Sequence, residues 1–419
     1  MEKTVIAMPT ITNLHAREIL DSRGNPTLEV ELTAETIHQL AAVPSGASTG
    51  KHEALELRYG GTRFRGYGVQ KAVHNVNTII APLLQGIDVS RQEEIDTLMI
   101  EKDGTSNKKK LGANAILGVS IAGCKAGAEA NNQLLFEYIN AIFPGKRTIS
   151  LPRPFFNIIN GGRHADNELS FQEFMIAPRM SSFAENLRVV SEVYHILKRI
   201  LHQKYGKGST NVGDEGGFAP EPLQHAPEAL SLLMKAINQA GYSGKVDLAI
   251  DCAASELFIR GKYKVDGRIM ATAELTRYYL DLIKKYPIIS LEDPFQQDDF
   301  VSFAELRKKT KIQIVGDDLT VTNIQRIEHA IKEKSCNCLL LKINQIGTIT
   351  EALAAARLAY EQGWKVMVSH RSGETEDTFI ADLAVGIGAE FIKAGAPCRG
   401  ERVSKYNQLL RIEELIRKR

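Results

Sequence analysis

The sequence has little that would staple, anchor or strongly charge it. Cysteine is scarce and odd in number, five in 419 residues, and no spacing forms a zinc ribbon. That excludes a disulfide framework and leaves small buried hydrophobes in a reducing compartment. Cys336 and Cys338, two apart in an apolar run, are read the same way. No charge of one sign dominates: 52 Lys and Arg stand against 50 Asp and Glu, a formal net of +2. Such a balance offers no global footprint for nucleic acid or an anionic membrane, and points to a small partner in a local pocket. Long apolar runs are missing too. Met1 to Thr4 leads into no signal-type segment. The most membrane-like stretch, Leu111 to Ala130, is broken by Asn114, Lys125 and Glu129 and falls short of the ~20 apolar residues a span requires. A cytoplasmic chain with no membrane span is expected. Low-complexity tracts and short repeats are absent as well. What is there is an ordinary globular composition, long enough for two or three domains and a large core.

The first third is mixed. Thr27 to Thr33 (TLEVELT) alternates as a strand with one wet face, and Gly68 to Leu84 and Ala113 to Asn131 read as helices. The Pro-bearing stretch Pro144 to Pro154 interrupts the pattern. A domain boundary belongs there, dividing the chain into residues 1–140 and 141–419. Beyond it, short apolar runs alternate with amphipathic segments. The runs are Val246 to Ile250, Ile288 to Leu291, Ile312 to Val315, Cys338 to Leu341, Lys365 to Val368 and Glu390 to Ile392. Helical spacing fills Thr272 to Lys285, Phe300 to Lys309, Thr322 to Glu333 and Ile349 to Gly363. Strands apolar on both faces and separated by helices predict a parallel sheet. With two earlier runs, Phe155 to Ile159 and Glu173 to Ile176, the count suits a closed α/β barrel; an open doubly wound sheet is the alternative.

Each of the six later runs ends in an ionisable residue: Asp251, Glu292, Asp317, Lys342, His370 and Lys393. A charged residue where a strand emerges into water is common by itself. Six in succession at the same phase place three carboxylates, two lysines and a histidine on one rim, where barrel active sites form. Three carboxylates in a concave rim repel unless a cation neutralises them, and all-oxygen ligands suit Mg²⁺ before Zn²⁺. A nearby metal and a second lysine would depress the pKa of Lys342 or Lys393, so that one could act as a base. A metal beside a lysine base is what removing a proton from a carbon next to a carboxylate requires.

Longer motifs then carry a resemblance. REILDSRGNP (17 to 26), VPSGASTG (43 to 50), LGANAILG (111 to 118), NGGRHADN (160 to 167), QEFMIAP (172 to 178), NVGDEGG (211 to 217), DLTVTN (318 to 323), LLLKINQIGT (339 to 348), SHRSGETEDTFIADL (369 to 383) and NQLLRIEE (407 to 414) run in order along nearly the whole chain. Together they resemble the enolase family, and so many long motifs in order are specific. The resemblance implies a smaller α+β N-terminal domain followed by a (β/α)8-type barrel with irregular first turns. It implies a carbon–oxygen lyase of glycolysis and gluconeogenesis, dehydrating 2-phosphoglycerate to phosphoenolpyruvate, assembled as a homodimer or homo-octamer. By the same resemblance Asp251, Glu292 and Asp317 hold one Mg²⁺, and Ser48 is a ligand of a second, substrate-dependent Mg²⁺. Lys342 matches the base at C2, and Glu215 the acid at the C3 hydroxyl, with Glu173 beside it. Lys393 matches a group that binds the substrate carboxylate, Arg371 and Ser372 match phosphate contacts, and His164 and His370 match active-site histidines.

Other readings of the same residues are plainer. The Gly/Ser segment around Ser48 reads by itself as a turn. His164 alone reads as a hydrogen-bonded structural histidine. Asp214-Glu215 between glycines could be only a turn, although flanking glycines permit close approach of a ligand. Lys108 to Lys110 reads as a solvated face. Leu187, Val190, Tyr194, Leu197 and Leu201 read as core. An acid-sugar dehydratase, an ammonia lyase or a non-catalytic relative are the alternative functions. Arg371, Ser372 and Ser48 speak against the first two, and intact Lys342 and Glu215 against the third.

Overall fold

The computed structural model describes residues 8–47, 49–145 and 147–418. Ser48, expected as a metal ligand, lies outside the described residues. Three strands open the chain, β1 (Asn13–Leu20), β2 (Pro26–Ala34) and β3 (Ile37–Ala42), paired antiparallel in that order. The alternation in TLEVELT has its cause here: Leu28, Val30 and Leu32 are fully buried, while the residues between them face outward. They pack on the helix Ala113–Ala130, whose small residues let it approach the sheet. A Cβ added at Gly118 would lie 2.7 Å from Val30 Cγ2. The single helix expected over Gly68 to Leu84 is instead interrupted. A π-helical turn, Val76–Ile80, separates two short α-helical pieces, Gln70–Asn75 and Ala81–Leu84.

Eight strands then close into a barrel. They are β4 (Arg153–Asn160), β5 (Glu173–Pro178) and β6 (Val246–Asp251), then, after a small antiparallel sheet of β7 (Phe258–Ile259), β8 (Lys262–Val265) and β9 (Arg268–Met270), β10 (Ile288–Glu292), β11 (Gln313–Gly316), β12 (Cys338–Leu341), β13 (Lys365–Ser369) and β14 (Phe391–Lys393). The ring runs β4-β5-β6-β10-β11-β12-β13-β14 and back to β4. It is parallel except for β5, which is antiparallel to both neighbours. An all-parallel sheet read from the apolar runs is therefore corrected at this strand. Residues 161–172 hold one 3₁₀ turn and no crossover helix, so the chain folds straight back. This is the irregular opening the resemblance implies.

The barrel interior is filled by Phe155, Met175, Ala177, Ala249, Val315, Cys338, Leu340, Met367 and Phe391, which form an apolar cluster of their own. It is a packed core rather than a pore. Larger apolar side chains on the other faces of the strands meet the surrounding helices. No helix among the described residues is long and apolar enough to cross a membrane.

Two contacts tie the opening segment to the barrel rim. The first is at the helix Ile349–Glu361, where the buried Asp96 carboxylate accepts hydrogen bonds from Thr350 N (2.9 Å) and Thr350 Oγ1 (2.6 Å). Lys108 joins it there. The solvated face expected for this lysine is not found, because its ammonium is buried against Glu351 at 2.9 Å. The second contact is the stretch from Ser45 to Ala54. Ser45 N donates to Gly373 O (2.7 Å), and Ala54 N donates to Gln345 O (2.8 Å). A closing helix, Gly400–Arg417, buries Arg402, Lys405 and Tyr406 on the face that packs against the rim.

Candidate active site

The rim is assembled from strand ends. Asp251 and Glu292 are the last residues of β6 and β10, Asp317 follows β11, Lys342 follows β12, His370 follows β13, and Lys393 ends β14. Glu173 reaches the same rim from the opposite direction. Since β5 is reversed, its first residue, not its last, lies beside Asp251. All these side chains are buried apart from Lys342, which keeps a small exposed fraction.

Glu215 comes from a loop, not a strand. Gly213 and Gly216 let that loop press against its neighbours: a Cβ at Gly213 would lie 2.3 Å from His164 O, and one at Gly216 (φ +81) 2.7 Å from Cys398 O. Asn157 Nδ2 donates to Glu215 Oε2 at 2.7 Å. His164 Nδ1 lies 3.4 Å from Glu215 Oε1 and 3.7 Å from Glu173 Oε1, and His370 Nε2 lies 3.4 Å from Glu215 Oε1. Glu173 and Glu215 lie close enough to act on one another, so the buried pair titrates together. Burial and then Glu215 push Glu173 well above the usual carboxylate range, against the pull of Lys393. Burial also pushes Glu215 upward, but His164, His370 and Arg402 outweigh it and hold Glu215 well below that range. The two opposite directions favour a proton on Glu173 over one on Glu215. Burial is also the first reason that His370 lies well below the usual histidine range and stays neutral.

Lys393 sits among three carboxylates, with Nζ 2.8 Å from Glu292 Oε1, 3.2 Å from Glu173 Oε2 and 3.4 Å from Asp251 Oδ2. Burial alone would lower its pKa; Glu173, Glu292, Asp251 and Glu215 overwhelm that and hold it well above the usual lysine range. Lys342 Nζ is 2.5 Å from Asp317 Oδ2. Its pKa is raised too: burial, the largest influence, lowers it, as do Arg371 and Lys393, but its acidic neighbours, Asp317 first and then Glu292, more than offset them. Carboxylate neighbours thus raise both lysines, whereas the depression expected from sequence belongs to a rim that holds a metal. Each has a carboxylate closer than any cation.

Seven carboxyl groups (Glu173, Glu215, Asp251, Glu292, Asp293, Asp317 and Asp318) face three cationic side chains (Lys342, Arg371 and Lys393) across this rim. Burial first, and acidic neighbours second, push Glu292 and Asp293 well above the carboxylate range and Asp318 up to about 8. So large an excess of oxygen ligands fits a hard divalent cation. Among the described residues two groups bring one ligand atom from each member within 4.8 Å of the others: His164, Glu173 and Glu215, and Asp293, Asp317 and Asp318. Of the expected Asp251, Glu292 and Asp317 set, only Asp317 belongs to either. The physical reason is the two ammonium groups. Lys393 draws Asp251 and Glu292 to itself and Lys342 draws Asp317, while Asp293 accepts from Asp317 N (2.9 Å) and Asp318 N (2.7 Å).

On the remaining side, Arg371 forks onto Glu53, at 2.9 Å and 3.2 Å, and donates to Asn344 Oδ1 at 3.0 Å. Ser372 Oγ accepts from Ala47 N at 2.7 Å. The space left between the side chains is ≈ 20 Å³, room for an ion or a water molecule.

Two family models match the sequence. One, described as the enolase N-terminal domain, covers residues 11–139. The other, the enolase C-terminal TIM barrel domain, covers residues 148–419. The chain belongs to the enolase family. An enolase fold thus accounts for both the reversed β5 and the acid-rich rim. Sequence reasoning did not single out Glu53, Gln172, Asp293, Gln345 or Arg402. Gln172 Nε2 donates to Asp251 Oδ2 (3.3 Å) and Gln345 Nε2 to Asp317 Oδ1 (2.8 Å). A signal existed for Arg402: it shares a helical face with Tyr406 and Leu409, where an apolar residue belongs.

Proposed function

We propose that this chain is a phosphopyruvate hydratase, converting 2-phospho-D-glycerate reversibly to phosphoenolpyruvate. One observation carries the reading. Glu173 on β5 and Lys342 after β12 stand four strands apart in a ring of eight, so an amine and a pair of carboxyl groups face each other across the barrel mouth. That is the arrangement needed to take a proton from one carbon and help hydroxide leave the next on the opposite side of a bound molecule.

In this reading Lys342 takes the C2 proton. Glu215 is the acid at the C3 hydroxyl, receiving the proton that Glu173 stores. His164 and His370 flank that pair. Lys393 turns from its carboxylates to the substrate carboxylate, and Arg371 and Ser372 take the phosphate. Asp251, Glu292 and Asp317 would hold one Mg²⁺, and Ser48 would help hold a second that arrives with substrate. When bound, these ions supply positive charge to the dianionic carboxylate formed as the proton leaves. The family resemblance supports each assignment, as does the excess of carboxylates at the rim. We also propose residues 1–140 as a capping domain, 141–419 as the catalytic barrel, a homodimeric or homo-octameric assembly and a cytoplasmic location.

The test is ultraviolet absorbance from phosphoenolpyruvate after adding 2-phosphoglycerate, with and without Mg²⁺. A Mg²⁺-dependent rise is expected. A flat trace with saturating Mg²⁺ would overturn the proposal.

A further inference from the structure

One wholly buried cation at the rim has no part in the reaction as written. Arg402, on the closing helix, is 0% exposed. Its Nη1 lies 2.6 Å from His370 Nδ1 and 2.5 Å from Arg371 O; its Nη2 lies 2.6 Å from Ser372 O and 3.0 Å from Asp214 O. A guanidinium can only donate, and it does not deprotonate in proteins. His370 Nδ1 must therefore accept. A neutral imidazole that accepts at Nδ1 carries its hydrogen at Nε2. That nitrogen is on the cavity side, 3.4 Å from Glu215 Oε1. An imidazolium would set N–H against N–H at the Arg402 contact. Of the charged groups around the ring, Glu215 favours the cation, whereas Arg402, Lys393 and Lys342 oppose it, and burial opposes it most.

We infer that Arg402 is a positioning residue that locks His370 as its Nε2–H tautomer and so holds a fixed neutral N–H, without a hydrogen-bond partner in the protein, toward the cavity beside Glu215, ready for an oxygen bound there. The same guanidinium holds the carbonyls of Asp214, Arg371 and Ser372. One side chain thus sets the acid's loop, the ring and the segment after β13 in register. Lysine could not substitute fully, because it lacks the planar fork that reaches four acceptors at once. The effect on turnover rests on the proposed function, since the donor faces the carboxyl assigned to the C3 hydroxyl. The tautomer itself does not.

The test is two-bond proton–nitrogen correlation on the intact protein labelled with ¹⁵N-histidine. His370→Asn identifies the His370 signals among the ten histidines. The wild type is expected to show the Nε2–H pattern, and Arg402→Met a mixture of tautomers or the Nδ1–H form. Wild-type signals from the Nδ1–H form or the imidazolium would overturn the inference whatever reaction the protein catalyses. So would an unchanged Nε2–H pattern in Arg402→Met. In turnover assays Arg402→Met should lose ~100-fold in kcat with little change in KM, and Arg402→Lys should recover part of it. In a His370→Asn background the Arg402→Met loss should shrink; losses that simply multiply would make Arg402 an anchor for the loops and nothing more. Should Arg402→Met fail to fold, the wild-type spectrum and Arg402→Lys decide. An Nε2–H pattern in a protein that forms no phosphoenolpyruvate would sink the proposed function and leave this inference standing.

Discussion

Lys342 Nζ lies 2.5 Å from Asp317 Oδ2, and the other oxygen of that carboxylate accepts from Gln345 Nε2 at 2.8 Å. The protonation of Lys342 is therefore tied to the partner Asp317 keeps. Facing Asp317, the amine is held charged, although burial, Arg371 and Lys393 all lower its pKa. If a divalent cation engages Asp317, the three lowering influences remain and the main raising one weakens. The amine could then take up a proton.

Replacing the amine should separate binding from chemistry. Lys342→Ala is expected to abolish exchange of the C2 hydrogen of 2-phosphoglycerate with solvent, with kcat reduced by about 10²–10⁴-fold. Mg²⁺ binding, followed by calorimetry, should be largely retained. Normal exchange in this variant would defeat the assignment of the base.

The acid can be tested independently. Glu215→Gln should retain part of the C2 exchange yet lose phosphoenolpyruvate formation, because the variant cannot pass a proton to the departing hydroxide. Exchange measured by proton NMR and product measured by absorbance should part company. Equal loss of both would argue against a separate acid.

A pH prediction concerns Asp382, on the helix Phe379–Gly386. Burial first, and Asp377 among its neighbours, push this carboxyl up to about 6, although Gln408 and Lys125 pull it down. The unfolded chain ionises near pH 4, so between about pH 4 and pH 6 the folded state binds more protons than the unfolded one. Stability due to this group is therefore lost as pH rises through that window, by on the order of 2–3 kcal/mol at most. Asp382→Asn removes the slope. The melting temperature of Asp382→Asn minus that of the wild type should grow from pH 4 to about pH 6 and then level off. A constant difference would show that burial of Asp382 carries no such penalty.

The contact between Asp96, on the helix Gln92–Asp103, and the start of the helix Ile349–Glu361 is the fourth test. Asp96→Ala leaves Thr350 N and Thr350 Oγ1 without the carboxylate that caps them. A cost of about 2 kcal/mol is expected, read as a lower urea midpoint at an unchanged slope. A shift below about 0.5 kcal/mol would mean that water serves these groups equally well.

The barrel was legible because strand and helix periodicity is written into each segment. The helices Thr272–Lys285 and Phe300–Lys309 and the strand Cys338–Leu341 fall where the pattern puts them. The rim residues could be read because a strand emerging at the rim ends in a charged group. That rule could not find Glu173 by itself, since on a reversed strand the rim residue comes first. Glu215 and Glu53 sit on loops, where no period marks them. Lys108 was misread because three adjacent lysines look solvated. What buries the first is Glu351, 243 residues away.

The fork of Arg371 on Glu53 has a consequence for affinity. The chain supplies a resident anion from its N-terminal segment, so this buried guanidinium is neutralised before any ligand arrives. Under the proposed reaction, an incoming phosphate does not meet a bare charge; it replaces one anion with another and gains only the difference between them. Glu53 Oε1 also accepts from Gly50 N and Gln345 Nε2, so an exchange at Arg371 would reach both the Gly50 backbone and the side chain that orients Asp317.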